Sequence, residues 1–380
     1  MSLRVPLFDL ALSEEDRVAV DAALRSGWLT MGPRTDAFER EFAGHLGVAH
    51  AVALSSGTAA LHLAMLAAGV GPGDEVVVPA ITFVATAAAA RYCGAEPVLA
   101  DILGPHDLGV DPADVERCLT ERTKAVCVVH YGGYTAAAEA LRALCDARGL
   151  ALIEDAAHTP SARTERGAVA GAIGLACCFS FFSNKVLSCG EGGLIATDDE
   201  KVAQHVRLRR SHAMTSGTWD RHRGHAPGYD VVALGYNYRL DEPRAALLSA
   251  RLPRLEQDIE QRRALVRRYR EKLAQIDGIT VPYEDEEVGR SSCYVMPAML
   301  DASGPREEIR AHMLEAHGVQ TSVLYPAIHE FTAYQGTESL PRAEHAARAQ
   351  LTLPLYPHLG EERQDLVLAA LEDALSRSRG

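Results

Sequence analysis

Short apolar runs alternate with longer periodic segments through the first half of the chain. The apolar runs predict strands at 51–54, 75–78, 97–100, 125–129 and 151–153. Segments whose apolar residues recur every three or four positions predict helices at 14–25, 35–46, 59–68, 85–92, 112–119 and 136–147. Strands that alternate with amphipathic helices are typical of a mostly parallel sheet covered by helices on both faces. The sequence therefore predicts an α/β fold whose ligands bind beyond the carboxyl ends of the strands.

The pattern changes near residue 250. A long charged segment at 252–276 predicts one helix, and shorter patterns predict helices at 305–316, 343–351 and 361–375 and strands at 293–300 and 319–325. We interpret residues 1–250 as a large α/β domain. Residues 251–380 are interpreted as a smaller α+β domain that caps the cleft.

Composition narrows the class of partner. The formal net charge of −13 disfavours nucleic acid or an anionic membrane as the main partner. No apolar run reaches the roughly 18 residues of a membrane span, and the first ten residues lack the apolar core of a signal peptide. The eight cysteines show no metal-ligand spacing, which indicates free thiols in a reducing compartment. We expect a cytoplasmic protein that acts on small molecules without a metal.

One lysine stands out in the segment 180–193, which reads Ser-Phe-Phe-Ser-Asn-Lys-Val-Leu-Ser-Cys-Gly-Glu-Gly-Gly. Lys185 lies between an aromatic run and a glycine-rich turn. Desolvation of its amine would favour the neutral, nucleophilic form that a Schiff base requires. The alternative is an ordinary exposed lysine in a loop after a strand.

A small-residue turn, Ser55-Ser56-Gly57-Thr58, joins the first predicted strand to a helix. Free N–H groups at a helix N-terminus bind anions, and Gly57 lets a phosphate approach the backbone. The Thr58 hydroxyl adds a donor. The same pattern also suits a plain N-cap, so the turn alone does not establish a phosphate site.

Acidic and aromatic residues follow other strands. Asp155 comes directly after an apolar strand, where a carboxylate needs a partner. It either caps the next turn or pairs with a cation such as a pyridinium nitrogen, which would let the ring act as an electron sink. Phe83 either stacks on that ring or belongs to the core. His158 either bonds a ring hydroxyl or satisfies backbone groups.

Taken in order, Gly57-Thr58, Asp155 and Lys185 supply a phosphate cradle, a partner for a ring nitrogen and an amine for an aldehyde. Each lies at the end of a predicted strand. This ordered set is what pyridoxal 5′-phosphate requires.

Six longer motifs resemble the DegT/DnrJ/EryC1/StrS family of sugar aminotransferases, within fold type I of the pyridoxal-phosphate enzymes. The similar motifs are Gly27-Trp28-Leu29-Thr30, Ser56-Gly57-Thr58-Ala59-Ala60-Leu61, Thr82-Phe83-Val84-Ala85-Thr86, Glu154-Asp155-Ala156-Ala157-His158, Gly235-Tyr236-Asn237-Tyr238-Arg239-Leu240 and Leu353-Pro354-Leu355-Tyr356-Pro357, besides the segment 180–193. The resemblance spans nearly the whole chain. It implies a mostly parallel seven-stranded sheet flanked by helices.

The resemblance also implies roles. Lys185 would form the Schiff base and move protons, Asp155 would bind the pyridine nitrogen, and His158 would lie near the ring hydroxyl. Phe83 occupies the ring-stacking position. The phosphate would be held by Gly57, Thr58, Ala59 and Ser180, with Asn237 reaching it from the neighbouring subunit of a homodimer.

Two positions depart from the family pattern. Thr159 stands where a small residue is commoner, and Ala213 replaces a glycine expected after Arg210-Ser211-His212. Neither touches the predicted chemistry, although the second lies near a substrate loop. The family also contains dehydratases in which a histidine replaces the lysine, and Lys185 argues against that branch.

The implied reaction is a ping-pong transamination from glutamate or glutamine to a keto-sugar. The loop 27–32, with Thr30, and the segment 210–212, with Arg210 and His212, resemble members that act at the C4 keto group of a nucleotide-linked 4-keto-6-deoxy sugar. A keto-inositol acceptor is the alternative within transaminases.

Three further substrate candidates carry alternatives of their own. Arg221 and Arg223 lie in a charged segment that either grips a diphosphate or is a solvated loop. Arg239 either binds substrate or pairs with a neighbouring acid. His329 either contacts substrate across the dimer or is an ordinary loop residue.

Two other classes remain as rivals. A pyridoxal-phosphate lyase or desulfurase would be expected to show a dedicated cysteine or a carboxylate-binding arginine, and the sequence assigns neither. A regulator that binds the cofactor would carry a DNA-binding segment, and no basic helix-turn-helix stretch precedes residue 50.

Overall fold

A computed structural model describes residues 3–216, 228–301, 305–336 and 339–379. Its main sheet has seven strands in the order β1-β9-β8-β7-β6-β2-β3. These strands are β1 (His50–Leu54), β2 (Glu75–Pro79), β3 (Glu96–Ala100), β6 (Thr123–Val129), β7 (Ala151–Asp155), β8 (Ala176–Ser180) and β9 (Gly193–Thr197). Only β9 runs against its neighbours, so the sheet is mostly parallel. The predicted fold class is confirmed.

Helices cover both faces of this sheet. The helices of the first 251 residues are α1 (Glu14–Arg25), α2 (Pro33–Leu46), α3 (Gly57–Ala67), α4 (Ala85–Tyr92), α5 (Pro112–Cys118), α6 (Ala138–Arg148), α7 (Glu200–Arg209) and α8 (Glu242–Arg251). A short hairpin of β4 (Ile102–Gly104) and β5 (Asp107–Val110) lies outside the main sheet. The six helices expected before residue 150 are all present, with ends within two residues of the predicted ones.

The later part of the chain contains a three-stranded antiparallel sheet. Its elements are α9 (Leu255–Leu273), β10 (Ile279–Thr280), α10 (Asp285–Val288), β11 (Met296–Leu300), α11 (Arg306–His317), α12 (Pro341–Ala349), β12 (Gln350–Leu353) and α13 (Gly360–Arg379). The small sheet runs in the order β10-β11-β12. Val266 and Tyr269 of α9 belong to the same apolar cluster as Val52 of the main sheet. The division near residue 250 remains a prediction.

Two predictions in this part were wrong. The segment 319–325 forms isolated bridges, Val5 with Val319 and Ser322 with Thr352, in place of a continuous strand. The helix expected at 343–351 ends at Ala349, because the next four residues pair with β11 as β12. Apolar residues at the end of a helical pattern thus entered a sheet once a partner strand was available.

The sheet is buried because successive strand residues face opposite apolar layers. In β1, Val52 and Leu54 pack into one cluster, whereas Ala51 and Ala53 pack into another. Full burial of a side chain such as Leu54 contributes about 1.5–3 kcal/mol. Within the ranges described above, no helix is both long and apolar enough to cross a membrane.

Local caps set where key helices begin. Ser13 and Asp16 form a capping box at α1, and Ser56 caps α3 by accepting a hydrogen bond of 3.1 Å from the Ala59 N–H. The carboxyl ends of β1, β7 and β8 then lie along one edge of the sheet. Residues that follow these strands are therefore brought together.

Candidate active site

A cavity of about 390 Å³ lies at this edge of the sheet. Residues from five separate parts of the chain line it: Ser56, Gly57, Thr58, Thr82, Phe83, Asp155, His158, Ser180, Lys185, Tyr294, Leu324 and Tyr325. Its size suits a small aromatic ligand with an anionic group. The cavity combines an amine, a carboxylate, aromatic rings and a helix N-terminus.

Lys185 is held in a tight loop after β8. The loop closes where the Phe181 N–H donates to the Gly192 carbonyl and the Lys185 N–H donates to the Phe182 carbonyl, both at 2.9 Å. Burial lowers the pKa of the Lys185 amine to about 8, and the nearby Asp155 carboxylate partly opposes this shift. The Lys185 Nζ lies 4.5 Å from the centre of the Tyr294 ring. A substantial fraction of the amine is therefore neutral near pH 8.

Asp155 is the last residue of β7 and is buried. Its Oδ2 accepts a 2.8 Å hydrogen bond from the Thr86 hydroxyl, and its Oδ1 accepts one of 3.2 Å from the Ala157 N–H. Burial raises the pKa of Asp155, while these two donors and Lys185 lower it. The carboxylate keeps room for another donor, because two oxygens offer about four acceptor sites.

His158 is neutral in this setting. Burial lowers its pKa well below 6.5, and the nearby Lys185 and His130 charges act in the same direction. The Gly132 N–H donates to Nδ1 at 3.2 Å, so the ring proton lies on Nε2, which is 3.2 Å from the Tyr325 hydroxyl. The imidazole also stacks on Tyr294, with ring centres 4.3 Å apart. His158 thus presents a fixed tautomer to the cavity side.

The N-terminus of α3 forms an anion cradle. Ser56 satisfies the Ala59 N–H, which leaves the N–H groups of Gly57 and Thr58 without an intrahelical partner. A Cβ added at Gly57 would lie 2.9 Å from the Ser180 Cβ. Glycine at 57 is therefore required by the close approach of the helix start to the end of β8.

Phe83 lines the cavity and is 54% exposed, so it does not belong to the core. Its ring centre lies 5.7 Å from that of Tyr325. An exposed aromatic face beside a cavity that also holds Asp155 fits a planar heterocyclic ligand.

The described substrate candidates do not line this cavity within the chain. Arg210 is buried, where it pairs with Glu39 and donates to the Ala53 carbonyl at 2.8 Å. His329 lies 3.5 Å from Glu344. Thr30 and Arg239 are half-buried, and Arg221 and Arg223 lie outside the described residues.

His212 and Asn237 are exposed and close to each other in the fold, because Ser211 bridges to Asn237. The neighbouring Ala213 has φ of 54°, in the left-handed region that favours glycine. The glycine pattern of the family thus corresponds to a real backbone requirement at this position. Thr159, the other departure, is buried and its N–H donates to the Ala156 carbonyl at 3.0 Å.

Several functional candidates escaped the sequence reasoning. Tyr294 and Tyr325 line the cavity, yet no local pattern distinguished them from core aromatics. Thr86 lies within a quoted motif, and its position four residues after Thr82 on one helix face was the available signal. Glu154 was quoted as a neighbour of Asp155 but received no role.

Comparison with known proteins identifies the family. The model of the DegT/DnrJ/EryC1/StrS aminotransferase family matches residues 11–372. The spore coat polysaccharide biosynthesis protein SpsC of Bacillus subtilis is 36% identical over 371 residues, which are 95% of each protein.

Two solved structures are similar over almost their whole length. The aminotransferase TlmJ from Streptoalloteichus hindustanus superposes with a TM-score of 0.90 at 35% identity, and the match covers 98% of this chain and 99% of TlmJ. DesV of S. venezuelae, solved in complex with a ketimine intermediate, gives a TM-score of 0.89 at 35% identity and 98% coverage of both.

The fold and these similarities define a pyridoxal-phosphate-dependent transaminase. The chain belongs to the DegT/DnrJ/EryC1/StrS aminotransferase family. Its cofactor is pyridoxal 5′-phosphate. The cavity fits this group, since it holds a helix N-terminus for the phosphate, a carboxylate for the ring nitrogen and a lysine of lowered pKa.

Proposed function

We propose that this enzyme transfers an amino group from glutamate or glutamine to a keto-sugar, a nucleotide-linked 4-keto-6-deoxy sugar in the first instance. The observation that carries the proposal is the convergence of Lys185 and Asp155 on one cavity beside the N-terminus of α3. The sugar class is supported by the similarity to SpsC, which is named for polysaccharide biosynthesis. The absence of any resolved cysteine or metal centre in the cavity is not used in the argument.

Lys185 is the proposed catalytic residue. When bound, the cofactor supplies an electron sink that stabilises negative charge at the substrate Cα. The Lys185 amine, released from the cofactor, would take the Cα proton and return it to the cofactor side of the bond. Its pKa of about 8 keeps the amine able both to accept and to donate a proton near neutral pH.

The other cavity residues would bind and orient the cofactor. Asp155 would hold the ring nitrogen protonated, Phe83 would stack on the ring, and neutral His158 would lie near the ring hydroxyl. The phosphate would be bound at the start of α3 and the end of β8, by Gly57, Thr58, Ala59 and Ser180. These assignments are supported by the lining of the cavity and by the N–H groups left free at the helix start.

A homodimer with shared active sites completes the proposal. Asn237 is exposed and lies beside an apolar stretch in which Val231, Val232 and Leu234 are also exposed. We place this stretch against a second copy, so that Asn237 reaches the partner's phosphate site. His212, Arg239, Thr30 and His329, with Arg221 and Arg223, are the proposed contributors to sugar binding, while Arg210 acts through its pair with Glu39.

We further propose that the reaction takes place in the cytoplasm as a step of amino-sugar biosynthesis for a glycan or an antibiotic. All eight cysteines are free thiols, as expected in a reducing compartment. The similarity to a polysaccharide biosynthesis protein supports the pathway class.

Borohydride reduction of the purified holoenzyme tests the cofactor assignment. Peptide mapping should place the reduced pyridoxyl group on Lys185, and Lys185→Arg should abolish both the adduct and turnover. Labelling of another lysine would reject the catalytic assignment. Lys201, whose side chain is exposed, serves as the internal reference for non-specific labelling.

Half-reactions test the substrates. Glutamate or glutamine alone should convert the bound cofactor to its amino form, detected by absorbance, and the addition of a 4-keto-6-deoxy nucleotide sugar should reverse the change. Reversal by a keto-inositol but not by the nucleotide sugar would contradict the sugar assignment. Failure of both amino donors would contradict the donor assignment.

A further inference from the structure

Two buried threonines form a directed chain of hydrogen bonds to Asp155. The Thr86 hydroxyl donates to Asp155 Oδ2 at 2.8 Å, and the Thr82 and Thr86 hydroxyl oxygens are 2.9 Å apart. A hydroxyl carries one proton. Because Thr86 gives its proton to the carboxylate, Thr82 must be the donor to Thr86.

The chain is rigid because its members are fixed at the backbone as well. Thr86 lies in the first turn of α4, and its N–H donates to the Phe83 carbonyl at 3.1 Å. Thr82 and Thr86 are 1% and 0% exposed, and Asp155 is 6% exposed. The loop that carries Phe83 is thus joined to the carboxylate through one helix turn.

These contacts set the balance at the carboxylate. Burial favours the neutral acid, whereas a hydrogen bond donated to the carboxylate favours its charged form. Each oxygen of Asp155 receives one such bond, from Thr86 at Oδ2 and from the Ala157 N–H at Oδ1. The Thr86 hydroxyl is the only side-chain donor to this carboxylate among the described residues.

We infer that Thr86 is a positioning residue, whose hydroxyl, ordered by Thr82, keeps Asp155 ionised and oriented so that the cofactor ring nitrogen stays protonated. This inference rests on the proposed function, in which Asp155 faces the ring nitrogen. It adds a determinant of the protonation state that lies outside the contact between carboxylate and ring.

The valine variant has a defined consequence. Thr86→Val keeps the branched shape but removes the donor, so the proton between Asp155 and the ring nitrogen moves toward the carboxyl. Since a protonated ring is the better electron sink, kcat should fall about tenfold or more while KM changes little. Thr86→Ser retains the hydroxyl and should restore both values.

The direct readout is the ring nitrogen itself. Apoenzyme is loaded with pyridoxal phosphate labelled with ¹⁵N in the ring, and the ¹⁵N resonance is measured in the wild type, Thr86→Val and Thr86→Ser. We expect a protonated-type shift in the wild type and in the serine variant, and a shift toward neutral pyridine in the valine variant. A purely structural role of Thr86 would lower stability without moving this resonance.

Other outcomes discriminate further. A Thr86→Val enzyme that still forms the Lys185 adduct, with an unchanged ¹⁵N shift and kcat, would overturn the inference and leave the proposed function intact. Should Thr86→Val fail to fold, Thr82→Val removes only the ordering donor and should shift the resonance in the same direction by a smaller amount; no shift there would also overturn it. A wild type without the Lys185 adduct would reject the proposed function itself.

Discussion

At the scale of single residues, burial is what gives the cavity its chemistry. Lys185 and His158 both have lowered pKa values, and Asp155 has a raised one, because burial disfavours the charged form of each group. The two basic groups are thereby available as neutral species. Specific donors, above all the Thr86 hydroxyl, oppose the effect at Asp155 alone.

Gly57 shows how narrow the tolerance is at this scale. In Gly57→Ala the new Cβ would lie 2.9 Å from the Ser180 Cβ, so α3 or β8 must shift. We expect a loss of about 1–3 kcal/mol in the free energy of unfolding. Cofactor affinity should fall as well, since the phosphate cradle is built from the same two segments.

The measurement is denaturant unfolding together with a cofactor titration followed by absorbance. Gly44→Ala is the matched control, because Gly44 lies in α2 with no atom near its added Cβ. That control should gain about 0.5–1 kcal/mol and bind the cofactor normally. Equal behaviour of the two variants would show that the contact with Ser180 is not limiting.

At the scale of secondary-structure elements, Glu154 joins strands and loops behind the cavity. This buried carboxylate accepts hydrogen bonds from the N–H groups of Gly171, Ile173 and Gly174, at 2.8, 2.6 and 2.6 Å. His130 Nε2 lies 2.8 Å away and donates, because its Nδ1 accepts from the Ala136 N–H. One side chain thus holds the ends of β6 and β7 and the loop that precedes β8.

Removal of this charge should destabilise the protein in a manner that depends on pH. The hydrogen bond and charge of His130, with other donors, lower the pKa of Glu154 to about 2 from 4.5, despite burial that would raise it. Its contribution is therefore complete above about pH 4.5 and is lost as the pH falls toward 2. At pH 7, Glu154→Gln should be less stable by about 3 kcal/mol.

Unfolding of wild type and Glu154→Gln at several pH values checks this prediction. The difference in free energy between them should shrink as the pH falls below about 4.5. Glu271→Gln, on the exposed face of α9, should stay within about 0.5 kcal/mol of the wild type. A difference that is constant with pH would mean that packing, and not charge, is responsible.

At the scale of the whole molecule, an exposed apolar stretch lies beside residues proposed to serve a neighbouring active site. Val231, Val232 and Leu234 are 53%, 55% and 73% exposed in the single chain. Met214 bridges to Val231 and Ser211 to Asn237, so the stretch is tied to the segment that carries His212. Clustered exposed apolar side chains mark a protein interface more often than isolated ones do.

Leu234→Asp should therefore separate the proposed homodimer into monomers, because a carboxylate would be buried without a partner. Sedimentation velocity should show the smaller species, with turnover lost in parallel because Asn237 no longer reaches the partner. Leu314→Asp, at an exposed apolar position of α11, should keep the wild-type mass and turnover. A Leu234→Asp protein that remains dimeric and active would place the interface elsewhere.

What could be predicted from the sequence followed from local patterns. Periodicity and turn residues located the helices before residue 150 and the order of Gly57, Asp155 and Lys185 at strand ends. The same local rules placed a strand at 319–325 and missed β12, because strand formation there depends on pairing with β11. They could also not show that Arg210 turns inward to Glu39.

The sequence by itself determined the α/β class, the family and the set of chemical groups at the strand ends, since these depend on spacing along the chain. Only the tertiary structure decided which groups meet. Thr86 and Asp155 are 69 residues apart, and Tyr325 and His158 are 167 apart, yet both pairs are hydrogen-bonded. Contacts of this kind arise from the packing of whole elements, which no local pattern of apolar and polar residues encodes.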